Sequence, residues 1–450
     1  MANPLPQAVY GGDEISAVVI DPGSTWTRAG FAGEDSPKAA IPTFYGREGD
    51  KIYVGDNDLH TARPGMEIAS PMEDGCVADW DMTVKIWDYA LSKRLYTDAK
   101  EHPLLVTEPS WNPSKNREKA AEIAFEQFGV PAFYLAKEAV CSAFACGKPT
   151  ALVVDIGSAV ASVTPVIDGL VLKKASFHSN FAGDYVNLHL KNLFRTKEIE
   201  LTPHFMVSRK QPVEPGQPAQ ATLRVFDNIT PSFIEFERGR ILNEFKESTS
   251  QVLDLPYTEA GASTRPVRSF EFPDGYNLVF GNERFTTTEP LFQPQLFPLD
   301  GSAPATTQSG SSPDGSGAHG ITELITASIA ACDVDARANL VNNVVLIGGT
   351  SLLTGCTERA NADMTRSFPG MKIRIQAPGN SSERKFAGWI GGSILASLGT
   401  FHQMWIGKKE YEEVGAVIVE KRCICERRLC TIIANCDNME HVGHELDDFW

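Results

Sequence analysis

Basic charge is in deficit in this sequence. Its 450 residues carry 41 Lys plus Arg against 57 Asp plus Glu, a formal net charge of −16. That balance excludes a nucleic-acid binder working through a broad basic face, and it leaves basic proteins, histones included, as electrostatically suited partners. Long apolar runs are missing too: none approaches the roughly 18–20 residues that a membrane-spanning helix needs, so no membrane association is expected. The start, Met1-Ala-Asn-Pro-Leu-Pro-Gln7, has neither a basic region nor an apolar segment, so no secretory signal is read and a soluble, intracellular chain is expected. Cysteine is sparse. Cys76, Cys141, Cys146, Cys332 and Cys356 stand singly and read as ordinary thiols of a reducing compartment. Cys423, Cys425, Cys430 and Cys436 crowd the end, followed by His441 and His444, but their spacing fits no zinc pattern, and 424–450 is read as an atypical C-terminal extension.

What is present is the composition of a folded protein, 42% hydrophobic and 22% charged, long enough for about two to four domain-sized units. One pattern occurs twice. Ala17-Val-Val-Ile-Asp21-Pro-Gly23-Ser24 and Ala151-Leu-Val-Val-Asp155-Ile-Gly157-Ser158 are apolar runs ending in Asp-x-Gly-Ser. Each is followed by a candidate return strand, Thr27–Phe31 and Ala161–Ile167. A buried strand that presents an Asp at its C-terminal end, in two copies, predicts an internally duplicated α/β protein. A third strand-to-glycine junction is Val344-Val-Leu-Ile347-Gly348-Gly349-Thr350. Helices are predicted over Pro113–Phe128 (capped by Asn112), Ser232–Val252, Gly320–Ala331 and Trp389–Met404. Lys210–Gln220, rich in Pro and Gln, and Asp300–Gly320, rich in Gly, Ser, Pro and Thr, read as exposed, mobile insertions.

A glycine turn lets backbone amides approach a phosphate without a side chain in the way. Gly23 with Ser24 and Gly157 with Ser158 make two such turns, which face each other if the copies are related by pseudo-symmetry. Asp21 and Asp155 are placed to hold a hydrated Mg²⁺ through water. Arg28, in the return strand, is placed to reach a β-phosphate, and Gly348-Gly349-Thr350 to accommodate the nucleoside.

Several long stretches go further. Ala29-Gly-Phe-Ala-Gly33, Glu101-His-Pro-Leu-Leu-Val-Thr-Glu108, Asn112-Pro-x-x-Asn-Arg-Glu118, Glu289-Pro-Leu-Phe-Gln-Pro294, Cys332-Asp-Val-Asp-x-Arg337 and Trp389-Ile-Gly-Gly-Ser-Ile-Leu-Ala-Ser-Leu resemble actin and the actin-related proteins, over nearly all of residues 11–423. Within that family, Tyr10-Gly-Gly-Asp-Glu14 leading into Val18–Ser24, and Gly407-Lys-Lys-Glu-Tyr-Glu-Glu-Val-Gly415, resemble the nuclear class that serves chromatin complexes. The resemblance implies an actin-like ATPase fold, two ribonuclease-H-like α/β halves closing on ATP or ADP with Mg²⁺. It also implies four subdomains: 11–41, 71–147 and 388–423; 42–70; 148–182 and 287–387; and 183–286. Carried onto matching positions, the nucleotide contacts are Asp21, Gly23, Ser24, Thr25 and Arg28 (Arg for the usual Lys), then Asp155, Gly157 and Ser158. Lys246 and Glu247 match the contacts to base and ribose, and Gly348, Gly349, Thr350 and Lys385 complete the nucleoside side. The extension has no counterpart in the family.

Departures from actin shape the functional expectation. Glu138 stands where actin has its water-orienting Gln, and an ionised carboxylate there would lack the amide's donor and repel a γ-phosphate. Ser158 replaces the second Asp of the turn, Ser162 replaces the water-relaying His, and Ala159 replaces a Gly. Losing groups that place or deprotonate a nucleophile costs about 10²–10⁴-fold each, so binding without hydrolysis is expected. Only Arg47–Ile52 separate Gly46 from Tyr53, where actin carries the longer loop that grips the next subunit, so no filament is expected. By resemblance, the chain is expected to be a nuclear, non-catalytic subunit of chromatin-remodelling and histone-acetyltransferase complexes, with roles in transcription regulation and DNA repair. It would dock beside actin on a helicase-SANT-associated helix and contact histones. Trp389–Trp405 and Val160–Ile167 are expected to help form the groove for that helix. The alternative is an ATP-hydrolysing enzyme or small-molecule kinase of the same fold, with Glu138 as its base. No sugar-binding pattern supports it.

Overall fold

A computed structural model describes residues 16–299 and 319–423 of the chain. The Tyr10–Glu14 stretch, all but the last residues of the Asp300–Gly320 insertion, and the 424–450 extension lie outside the described residues. Two six-stranded sheets organise the rest. In the first, Ile406–Gly407, Ala132–Lys137, Leu104–Glu108, Val18–Pro22, Trp26–Phe31 and Ala39–Pro42 lie side by side in that order. In the second the order is Leu170–Val171, Ala161–Ile167, Ala151–Ile156, Val344–Ile347 and Ile375–Gln376, with Phe177–Ser179 also pairing to Ala161–Ile167. The duplication is visible in the registers. Val18–Pro22 runs antiparallel to its return strand, pairing Asp21 with Arg28, and parallel to Leu104–Glu108. Ala151–Ile156 runs antiparallel to its return strand, pairing Asp155 with Ser162, and parallel to Val344–Ile347. Both Asp-bearing strands are flanked on either side and buried, which is why they read as unbroken apolar runs.

Each sheet has its own core. Trp87, Phe133 and Trp389 are fully buried against the first, and Phe194, Phe245 and Phe280 against the second. A third cluster joins them where the chain crosses between the halves: Val140 and Ala143 of the Glu138–Ala145 helix meet Val153, Val345 and Ile347 of the second sheet and Ala387. Several family-like stretches fold into buried ion pairs. Arg117 pairs with Glu108 at 2.9 Å, and Lys137 reaches the same carboxylate at 2.6 Å. In the second half Arg359 pairs with Glu289 at 2.7 Å and Asp363 at 2.9 Å. Removing one partner of such a pair leaves an uncompensated buried charge, at a cost of about 3–5 kcal/mol.

The structure corrects several expectations of detail. The helix expected from Pro113 starts at Ser114 with Pro113 as its cap, because the Asn112 side chain is drawn to Glu108 instead, and it ends in a wider π turn over Ile123–Gln127. The helix expected over Ser232–Val252 spans Pro231–Ser248, capped by Thr230. Trp389–Met404 divides into Ala387–Ser397 and a 3₁₀ segment, Gly399–Gln403. Lys210–Gln220 is exposed, as expected, but it is no plain loop: Val207–Gln211 and Gln220–Leu223 pair as a two-stranded ribbon. Arg47–Ile52 is tighter than a loop. Tyr45–Glu48 and Lys51–Tyr53 pair directly, turning over Gly49 at φ 57° and Asp50. Cys423 is a core thiol that accepts a hydrogen bond from the Leu135 amide at 3.4 Å, and burial pushes its pKa up to about 12, so it is unsuited to a zinc site. No helix of the described residues is long and apolar enough to cross a membrane.

One buried titratable group sets a pH dependence. His189, on the Gly183–Thr196 helix, meets Tyr185 edge-on at 4.8 Å, and its Nε2 is buried without a partner. Burial pushes its pKa down to about 4. An unfolded histidine titrates near about 6.5, so below that pH the unfolded chain takes up a proton that the folded chain refuses. The contribution is intact above about pH 6.5 and is lost as pH falls toward 4. Melting followed by circular dichroism is expected to drop further between pH 7 and pH 5 in the wild type than in His189→Gln, by a few degrees. Identical drops in the two proteins would contradict it.

Candidate functional site

The two Asp-x-Gly-Ser turns face each other across one cavity of about 430 Å³ between the halves. They are built alike. The Gly23 amide donates to the Trp26 carbonyl at 3.1 Å, and the Gly157 amide donates to the Val160 carbonyl at 2.9 Å, so each glycine closes its own turn. Glycine is needed at both positions: a Cβ on Gly23 would stand 2.9 Å from the Trp26 carbonyl and from Arg28, and one on Gly157 would stand 3.0 Å from the Val160 carbonyl. Every residue assigned to the site from sequence lines this cavity: Asp21, Gly23, Ser24, Thr25, Arg28, Asp155, Gly157, Ser158, Lys246, Glu247, Gly348, Gly349, Thr350 and Lys385, with Glu138 and Ser162.

Electrostatics at the floor of the cavity differ from the expectation. Asp21 is buried and accepts from the Thr107 hydroxyl and, at 3.0 Å, from Arg28. Arg28 is therefore committed to Asp21 rather than free to reach a phosphate, because a buried carboxylate needs its guanidinium. Glu138 opens the Glu138–Ala145 helix directly beneath. Burial, then the neighbouring Asp155 and Asp21 carboxylates, push its pKa well above the carboxylate range, and its proton is shared in a hydrogen bond with Asp155. Burial likewise raises Asp155 to about 6. The expected ionised Glu138 is thus corrected: without a cation nearby it is a neutral acid, because three carboxyl groups around one guanidinium cannot all ionise. Its donor is turned to Asp155, and so is not directed at a water in the cavity.

The departures at the second turn are built into a chain of hydroxyls. Thr25 donates to Ser158 at 2.6 Å, and Ser158 donates to Asp184 at 2.9 Å, so the two turns touch across the cleft. On the nucleoside side, Lys246 is buried with its ammonium 3.1 Å from the Gly183 carbonyl, while the exposed Glu247 approaches Lys385 at 3.8 Å. Thr350 donates to the Gly157 carbonyl at 2.7 Å. Gly348, at φ 89°, lies so close to Asp155 and the Ile156 carbonyl that a Cβ would collide with both. At the rear, Trp111 stacks on His178 with ring centroids 4.0 Å apart, and Asp74 is hydrogen-bonded to both. Trp26, Trp111 and Asn243 also line the cavity. Sequence reading missed them. Only Trp26 carried a signal, its place inside the first turn.

This donor set fits a Mg²⁺-nucleotide. Two glycine turns, two carboxylates at strand ends and Lys246 and Lys385 on the far wall form a cradle that side chains on the glycines would fill. One expectation about the surface fails. Trp389, Phe401 and Trp405, and Ala161, Val163 and Val166, are buried core residues, and Val160 faces the cavity, so these stretches do not present an apolar groove.

The comparisons with known proteins agree with this geometry. The actin family model matches residues 12–424. The chain belongs to the actin family. Actin-related protein 4 of Yarrowia lipolytica is 45% identical over 436 residues, covering 93% of this chain and 98% of that protein. Actin-related protein 4 of Emericella nidulans is 46% identical, over 93% and 99% of the two chains. The SWI/SNF and RSC complexes subunit arp42 of Schizosaccharomyces pombe is 43% identical, over 91% of this chain and the whole of its own. The class-specific stretches of the sequence are therefore those of the actin-related protein 4 type.

The glycine at φ 89° gives a direct test. Gly348→Ala adds backbone strain and a collision with Asp155, and is expected to destabilise the fold by about 1–3 kcal/mol. Gly239→Ala, in the middle of the Pro231–Ser248 helix with open space around it, is expected to stabilise by about 0.5–1 kcal/mol. Urea unfolding of the two variants beside the wild type measures both, and equal midpoints would contradict the reading of Gly348.

Proposed function

We propose that this protein is a nucleotide-binding, non-catalytic actin-related subunit of nuclear chromatin-remodelling and histone-acetyltransferase complexes, acting in transcription regulation and DNA repair. The observation that carries the non-catalytic reading is Glu138: it is buried against Asp155 and Asp21 and retains its proton. A group so placed neither orients a water nor accepts its proton. Ser158 is engaged with Thr25 and Asp184, and Ser162 lacks an imidazole to relay a proton. ATP or ADP with Mg²⁺ would be held by Asp21–Thr25 and Asp155–Ser158, with Asp21 and Asp155 reaching the cation through water. Lys246, Glu247, Gly348–Thr350 and Lys385 would hold the nucleoside. When bound, the cation supplies the charge that lets these carboxyl groups ionise together.

Membership of a chromatin complex is supported by the name of the Schizosaccharomyces pombe relative and by the class-specific stretches. Actin, a helicase-SANT-associated scaffold helix and histones are the proposed partners, the last favoured by the net charge of −16. The scaffold helix would need a groove other than the two buried stretches named above. The four subdomain ranges stand as proposed divisions of the two halves. The tight Gly49–Asp50 turn offers no extended loop to a next subunit, which supports a single subunit over a filament. A kinase of the same fold needs an ionised base aimed at a substrate hydroxyl, and Glu138 is neither free nor ionised.

Phosphate release from ATP-Mg, measured beside ordinary actin, is expected to be slower by 10²-fold or more. Glu138→Gln keeps a neutral side chain of similar size and is expected to fold normally. It should stay slow, because Ser158 and Ser162 are unchanged. Release at an actin-like rate by the wild-type monomer would refute the proposal.

A further inference from the structure

The cleft has a second closure, far from its floor. The chain crosses between the halves near Pro149 and Phe386, on the side of the cavity floor. At the outer end, an arm of each half reaches across. Leu59, Met66 and Ile68 of the first half and Phe233 of the second form one buried cluster, with Phe236 packed against it. The contact is also polar and ordered. The Gly65 amide donates to the Asn228 carbonyl at 2.8 Å, the Ile68 amide donates to the Ser232 hydroxyl at 3.0 Å, and the Thr230 hydroxyl donates to the Met66 carbonyl. Beneath them Glu237, fully buried, is held by His60 at 2.5 Å and by Arg240 at 3.2 Å, and His60 stacks on Phe236 with centroids 5.1 Å apart.

One helix links this junction to the proposed nucleotide site. Pro231–Ser248 is about 27 Å long. Its first turns, through Ser232, Phe233, Phe236 and Glu237, are docked on the first half. Asn243, Lys246 and Glu247, near its other end, form a wall of the cavity. That wall cannot swing away from Asp21 and Arg28 unless the docked end releases, and release would strip a buried carboxylate of His60 and expose an apolar cluster. These are costs that side-chain contacts on a solvated surface do not carry.

We infer that the two arms form a standing bridge across the outer end of the cleft, present without nucleotide, and that a bound nucleotide leaves only when the bridge breaks. The inference rests on the nucleotide-binding reading for its second half, but not for its first. The nucleotide is then a retained structural ligand rather than an exchanging one.

Two measurements test it. In nucleotide-free protein, hydrogen exchange is expected to show the Gly65 and Ile68 amides protected on the order of 10²-fold or more relative to the exposed turn at Gly49. Release of a mant-labelled ATP, chased with excess ATP-Mg, is expected to quicken about 10–100-fold in Phe236→Ala and Ser232→Ala. It should stay unchanged in Lys119→Ala, on an exposed helix of the first half. Ser232→Ala, which removes one hydroxyl, keeps the test valid if Phe236→Ala folds poorly. Unprotected amides would overturn the bridge itself. Protected amides with unchanged release in both bridge variants would overturn its role in retention. Protected amides in a wild type that takes up no mant-ATP would overturn retention by removing the nucleotide reading beneath it.

Discussion

Three carboxyl groups, Asp21, Glu138 and Asp155, share one buried floor with a single guanidinium, Arg28. Left ionised they would drive the halves apart. The fold holds them by three means: Asp21 takes Arg28 and the Thr107 hydroxyl, Glu138 keeps its proton, and Asp155 accepts the hydrogen bond that this proton makes. The rest of the site follows from that arrangement. Arg28 is committed to the floor, Glu138 cannot serve a water, and the cavity above has a place for a cation that would relieve the crowding. A site that binds ATP-Mg for its charge, without machinery to cut it, is the chemical consequence.

Closure of the cleft is shared among contacts at different depths. The hydroxyl chain Thr25–Ser158–Asp184 joins the turns, the Trp111–His178 stack with Asp74 joins the halves behind them, and the arm junction around Phe233 and Glu237 joins them at the outer end. The substitutions that remove catalytic groups from the second turn thus supply a contact in their place. Ser158 is short enough to meet Thr25 directly. Hydrolysis and closure exchange places at the same residue.

The duplicated strands were legible because burial on both faces writes an unbroken apolar run, and because each run stops at a glycine that no other residue can replace. The site was legible for the same reason, with the family resemblance supplying Lys246, Glu247 and Lys385, which look like ordinary surface charges on their helices. The protonation of Glu138 was not legible. It depends on Asp21 and Asp155 arriving from strands 134 positions apart, and a sequence does not show which carboxyls will meet. The groove was misread because small and aromatic residues at Trp389–Trp405 pack equally well inside a core as along a surface. Pro and Gln in Lys210–Gln220 disguised a ribbon whose strands lie on an exposed edge, where such residues are tolerated.

Thermal melting with and without nucleotide tests most directly whether the cleft is a structural nucleotide site. A ligand that binds only the closed form at one hundred times its Kd stabilises it by about 2.7 kcal/mol. ATP-Mg is therefore expected to raise the melting temperature of stripped protein by a few degrees. Asp21→Ala is expected to abolish most of that rise. Stripped and ATP-Mg-loaded wild type melting at one temperature would contradict it, and the two Asp-x-Gly-Ser turns would then serve packing alone.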